Sequence, residues 1–235
     1  MMFRCVTAFV MVACFASFVS AQSRTLAFSL NEKLAGVDVE FPASLTVTNL
    51  KPNEPLQLVV KINLQDFFSK IDNIVNAVGV EHLLQSGVSI EHKGTLLSID
   101  QGQLHAKIHL HLSWKGRILG IKSSASSDGS VIIHATPTIS GNRIGLSAVV
   151  EEPKISNDVV RNAAKFFSGQ DIAKELAQRF LNQALSDPAA QLPLPPQAVA
   201  LGVTFATARF ELDASKPSAV IEGQLDNVAA KLIFF

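Results

Sequence analysis

From Val37 to Thr48 the chain alternates without interruption. Val37, Val39, Phe41, Ala43, Leu45 and Val47 are apolar, and the positions between them run Asp38, Glu40, Pro42, Ser44, Thr46, Thr48. A period of two puts every apolar side chain on one side of an extended strand, so this stretch has a dry face that something else must cover. The pattern returns in Ala106, Ile108, Leu110, Leu112 and Trp114. Antiparallel sheet with one wet face is therefore the basic material of the fold.

A different period appears after the break at Asn49–Pro55. A short strand, Leu56–Ile62, leads into Leu64, Phe67, Phe68, Ile71, Ile74, Val75 and Val78, whose spacing predicts an amphipathic helix. Asn63 can cap it, with Asp66 at the third helical position and Gly79 ending it. A second helical region is expected after Pro153, capped by Ser156 and carrying Val159, Val160, Phe166, Phe167, Leu176, Phe180 and Leu185. Between the helices the sequence predicts a meander of five strands, Val88–Ile99, Gln103–Trp114, Ile118–Ser123, Val131–Ala135 and Ile144–Val150. Turns are expected at Asp100–Gly102, Lys115–Gly116, Asp128–Gly129 and Ser140–Asn142. Pro188–Pro196 reads as an extended crossing, followed by strands Val199–Leu212, Ala219–Leu225 and Val228–Phe235. In the first of these the apolar phase is odd through Phe205 and even from Ala208, which requires a bulge or bend.

Met1–Ala21 has the form of a secretory signal. Arg4 precedes an apolar run, Cys5–Phe15, and Val19, Ser20 and Ala21 supply a cleavage site. The run is shorter than the roughly 20 residues a membrane span needs. A secreted or periplasmic protein, residues 22–235 forming one domain, is the expectation. Both cysteines, Cys5 and Cys14, fall inside the signal, so the exported chain holds together by packing, without disulfides. Acidic and basic residues balance at 20 each, and removing Arg4 leaves one negative charge in excess. Such a chain has no basic field for nucleic acid.

Few residues suggest chemistry. His105, Lys107, His109 and His111 share one face of a strand, and His109 and His111 have a spacing found in metal sites. That face is the polar one and has no carboxylate beside it in the local sequence, so it reads as a solvated strand face with no metal. The run Ser123–Gly129 reads as a hairpin loop, and no nucleophile elbow is present. Glu151 and Glu152, as strand neighbours, point to opposite faces. No catalytic residue and no cofactor is expected, and the chain is read as a non-enzyme.

The order of elements, a strand leading directly into a long amphipathic helix (Leu56–Val78), long antiparallel strands, a second helix, a Pro-rich crossing and a final hairpin, resembles the tubular lipid-binding (TULIP-like) superfamily. Within it, the nearest likeness is to a bacterial secreted family of that fold. The resemblance implies an α+β domain in which a long, strongly curved antiparallel sheet wraps around two long amphipathic helices. It also implies an apolar groove or tunnel for a lipid or another elongated hydrophobic ligand. The apolar pattern itself offers Phe67, Phe68, Ile71 and Val75 on the first helix, Phe166, Phe167 and Phe180 on the second, and Phe205 and Phe210 on the bent strand as lining residues. Peripheral contact with a membrane or an envelope protein fits the same reading. The alternative is an envelope scaffold that receives a protein segment and has no small-molecule ligand.

Overall fold

The alternating stretch forms strand β2 (Val37–Thr48), which pairs along its whole length with β1 (Ser23–Leu34). The sequence reading passed over β1, although its even positions, Leu26, Phe28, Leu30 and Leu34, carry the same signal. Ala35 and Gly36, at φ of 49° and 89°, form the turn between the two strands. Positive φ at both central positions gives a turn whose twist matches that of the strands. The computed structural model describes residues 23–48, 55–78, 88–118, 121–140, 143–151, 154–156, 192–193 and 203–225.

The chain continues through β3 (Leu56–Asn63), helix α1 (Gln65–Val78), β4 (Val88–Asp100), β5 (Gln103–Ile118), β6 (Ile121–Ser140), β7 (Arg143–Val150), β8 (Lys154–Ile155), β9 (Leu192–Pro193), β10 (Thr204–Asp213) and β11 (Lys216–Leu225). One antiparallel sheet has the order β1-β2-β3-β11-β10, and the second β4-β5-β6-β7-β9, with β8 also on β6. Strands make up 81% of the described residues and helix 10%.

The expected single curved sheet around two long helices is therefore not the fold. Two antiparallel sheets share one helix of 14 residues, the only helix among the described residues. The region read as a second helix, with Phe166, Phe167 and Phe180, lies outside the described residues, as do the signal segment and Val228–Phe235. Of the Pro-rich crossing, Leu192 and Pro193 are described, and they extend along Ile144 and Arg143 of β7.

Strand was underestimated chiefly at Ser123–Gly129. Instead of a loop, this segment belongs to the 20-residue β6, paired with Leu110–Gly116 of β5. Lys115–Gly116 and Asp128–Gly129 are likewise paired strand, not turns. The small residues make room: a Cβ on Gly129 would lie 3.0 Å from the Lys154 carbonyl and 3.1 Å from Leu112 Cδ1. Glycine inside a strand marks such a close approach. The expected irregularity in β10 is present, with the register shifting between Phe205 and Thr207. A second bulge, between His92 and Gly94, was missed, although the apolar phase changes from Ile90 to Leu97 and Ile99.

Helix α1 joins the sheets. Its N-terminus is capped as expected, the Gln65 N–H donating to Asn63 Oδ1 at 2.8 Å. Its apolar face, Ile71 and Val75, is buried against Ile90, Ile108, Leu110 and Val131 of the second sheet. Its polar residues close open strand edges. Because β3 pairs with only the Ala43–Thr48 half of β2, the other half has free backbone groups. Asp66 Oδ2 accepts the Glu40 N–H at 2.8 Å, and Lys70 Nζ donates to the Asp38 carbonyl at 2.9 Å. On the other side, beside the β4 bulge, Asp72 Oδ1 accepts the Thr95 N–H at 2.7 Å, and Asn76 Oδ1 lies 2.7 Å from His92 Nδ1. The His92 side chain is 4% exposed, with Thr95 Oγ1 at 2.9 Å from its second nitrogen.

The hydrogen bond from Lys70, with that from the Glu40 backbone, holds the Asp66 carboxyl below its ordinary range. A depressed carboxylate stabilises the fold above its unfolded value, about 3.9, and the contribution fades as pH falls through the folded value. Asp66→Ala should therefore lower stability at neutral pH, and its difference from the parent should close below about pH 4 in urea unfolding across pH. A second expectation concerns the turn between β10 and β11, where Ala214 and Ser215 have φ of 46° and 67°. Side chains are strained there, and the double change Ala214→Asn, Ser215→Gly should raise unfolding free energy by about 1 kcal/mol.

Candidate apolar site and the histidine face

In a strand pair, directly opposite residues share a face, so register fixes what meets what. The inner face of β1 and β2 pairs Leu26 with Leu45, Phe28 with Ala43, Leu30 with Phe41 and Glu32 with Val39. Val39 and Ala43 are buried, whereas Leu26 is 47% exposed and Phe28, Leu30, Phe41 and Leu45 are half-buried. The row joins two apolar clusters. At one end, Phe41 packs with Leu64, Phe67, Phe68, Phe210 and, from the second sheet, Leu104 and Ala135. At the other, Leu45 packs with Leu56, Leu58, Val203, Phe205 and Leu225.

The proposed lining residues thus separate. Phe67, Phe68 and Phe210 belong to the cluster where the sheets meet, Phe41 and Phe67 stacking at 6.4 Å between ring centroids and Phe67 meeting Phe68 edge-on at 6.2 Å. Phe205 stands at the far end of the first sheet, its ring 3.1 Å from where a Cβ on Gly223 would lie. Ile71 and Val75 are in the cluster under α1 on the second sheet. A backbone hydrogen bond from Phe210 N–H to the Gly102 carbonyl, 3.0 Å, fixes β10 against the β4–β5 turn. The row Leu26, Phe28 and Leu30 escaped the sequence reading because β1 did. Glu32 is the one ionisable group in it, and burial pushes its carboxyl above the ordinary range.

The outer face of the second sheet holds the histidines. His105 stands opposite His134 and His111 opposite Asp128. His105 Nδ1 and His134 Nδ1 are 2.7 Å apart, and His134 Nε2 lies 2.7 Å from Glu151 Oε1. His111 Nδ1 is 2.7 Å from Asp128 Oδ1. The stretch around these histidines has no carboxylate of its own, and strand pairing brings carboxylates beside them from other elements, Glu91 of β4 and Asp128 of β6 opposite His111, and Glu151 after β7 beside His134. Among the described residues no three His, Cys, Asp or Glu side chains form a group that could hold a metal ion. No helix among them is long and apolar enough to cross a membrane.

Compared with models of known protein families and with curated proteins, the chain matches none.

Truncation should separate packed from half-open positions. Ile71→Ala, at 5% exposure, should cost about 2–4 kcal/mol. Phe68→Ala, half-buried, should fall below the roughly 3–5 kcal/mol of a fully packed Phe. Urea unfolding of both variants measures the contrast.

Proposed function

We propose that the protein is a non-enzymatic binding protein for an elongated hydrophobic molecule of the lipid class, secreted or periplasmic, with the ligand lying along the inner face of β1 and β2. The observation that carries this reading is the half-open row Leu26, Phe28, Leu30, Phe41 and Leu45, flanked at both ends by buried apolar clusters. Between Leu26 and Leu30 a strand covers roughly 13 Å, and the clusters at both ends extend the apolar path, which suits an extended acyl chain better than a compact molecule. A run of apolar side chains left half-open beside buried clusters offers a surface on which an apolar ligand can lie. Phe67, Phe68 and Phe210 close one end and Phe205 the other, while Ile71 and Val75 act as packing.

A second reading has its own observation. Among the described residues β1 pairs on one side only, with β2. An open edge of 12 residues can accept a strand from a protein partner, the envelope-scaffold alternative. Native mass spectrometry of the purified protein, followed by organic extraction, distinguishes the two: co-purifying lipid supports the first. With a fluorescent fatty acid as probe, Phe28→Asp should weaken binding by at least about tenfold with little loss of stability. No uptake of the probe by the parent, together with no extractable lipid, would leave the scaffold reading.

A further inference from the structure

The outer edge of β1 lacks a proline and a bulge, two of the devices that keep sheet edges from joining. Its register with β2 runs unbroken across all 12 residues, Ser23–Leu34, and its charges, Arg24, Glu32 and Lys33, stand toward the two ends. Among the described residues β1 pairs only with β2. In an antiparallel strand, alternate residues direct their backbone N–H and C=O to opposite edges. Leu34 and Val37 flank the two-residue turn at Ala35 and Gly36, where the strands of such a hairpin exchange backbone bonds. The even residues of β1 therefore direct their backbone groups to β2, and the odd ones, Ser23 to Lys33, to the outer edge.

A second copy of this edge can meet it only with odd residues facing odd, so an antiparallel self-pairing has its two-fold axis at a residue and never between residues. One such register is self-complementary. With the axis at Phe28, the inward row Arg24, Leu26, Phe28, Leu30, Glu32 meets its own reverse. Arg24 of each copy stands opposite Glu32 of the other, Leu26 opposite Leu30, and Phe28 opposite Phe28. On the outward row Ala27 meets Ser29, Thr25 meets Asn31 and Ser23 meets Lys33, with no like charges opposed. An axis at Ser29 sets Leu26 against Glu32, and one at Ala27 sets Arg24 against Leu30. Of the three, the Phe28 axis alone matches both charge and apolar character. Arg24 and Glu32 cannot neutralise each other within one copy, being roughly 26 Å apart along the strand. Burial raises the Glu32 carboxyl above its ordinary range, a cost that a cation across the edge relieves.

We propose that the protein forms a symmetric dimer by antiparallel pairing of β1 with β1 of a second copy, the two-fold axis at Phe28. The pairing adds about twelve backbone hydrogen bonds and makes the first sheet continuous through both molecules. The inward row occupies the non-hydrogen-bonded sites of the new ladder, where facing side chains come closest, so Leu26, Phe28 and Leu30 of the two copies join across the axis. The inference does not rest on a lipid in that row, because the pairing uses the edge of the strand; it names a second copy as the strand that the open edge accepts.

The experiment is sedimentation equilibrium of the purified protein and of two charge reversals, Arg24→Glu and Glu32→Arg. The parent is expected to be a dimer that dissociates on dilution. Each reversal opposes like charges at two symmetry-related positions and should weaken dimerisation by at least about tenfold. Mixing the two variants should restore it, because both pairs in the mixed dimer are again opposite in charge; a variant that had merely misfolded would gain nothing from mixing. Oxidation reads the register. The chain's own cysteines, Cys5 and Cys14, precede β1, and the parent serves as their control. Phe28→Cys should crosslink across the axis, where the Cα atoms of a facing pair stand about 4.5 Å apart. Leu30→Cys, displaced from its counterpart by roughly 13 Å along the strand, should not. A dimer indifferent to both reversals, or crosslinking at Leu30→Cys in place of Phe28→Cys, overturns the proposal. A parent that stays monomeric up to about 100 μM overturns it too, and leaves the ligand reading standing, since lipid extraction scores that reading separately.

Discussion

The interaction on which the rest of the structure depends is the attachment of α1 to both sheets. Its burial of Ile71 and Val75 supplies the apolar part of the attachment, and those residues alone would let the helix slide or tilt. Direction comes from carboxylates. Asp66 takes a backbone N–H from β2 and Asp72 one from β4, so one helix closes an incomplete edge on each sheet. Buried or edge backbone groups cost free energy when left unpaired. The same bonds that satisfy them fix how the sheets stand about the helix.

The parts of this arrangement that could be read from sequence are those settled within a few residues. The helix was legible because its period and its Asn63 cap lie together in the chain, and β2 because its alternation is uninterrupted. The bulge after Phe205 was legible because a change of apolar phase has no other cheap explanation. Asp66 was expected to serve the helix end, and it serves β2 instead, an assignment that depends on where β3 stops. The Ser-rich segment misled because small residues signal a turn locally, yet here they accommodate Leu112 and the backbone of β8. Of the residues read as lining candidates, Phe67, Phe68 and Phe210 come together in one apolar cluster, while Ile71 and Val75 lie in the other cluster, under α1. The carboxylate partners of His111 and His134 were beyond reach, being products of register between strands.

The two sheets divide the chemistry of the molecule. The first presents a half-open apolar row inward and a network of Lys61, Arg209, Glu211 and Glu222 on its other face, where Val220 is buried beneath the charged residues. The second has its apolar side closed by α1 and turns its histidines outward. A half-open apolar row and a histidine-bearing face thus sit on separate sheets, connected by one helix and by the core around Leu64, Leu104 and Phe210.

The position of β11 has a consequence for the order in which the molecule can be made. It lies between β3 and β10, so the centre of the first sheet is built from segments far apart in the chain; Lys61 reaches Asp213 across 152 positions. While the ribosome is still translating the second sheet, β3 has no neighbour on that side, and β1–β3 expose an incomplete apolar surface. Contacts of such long range form slowly, and chains awaiting them aggregate readily. The first sheet can therefore be completed only after synthesis has passed β11, so its central pairing is the last part of that sheet to form.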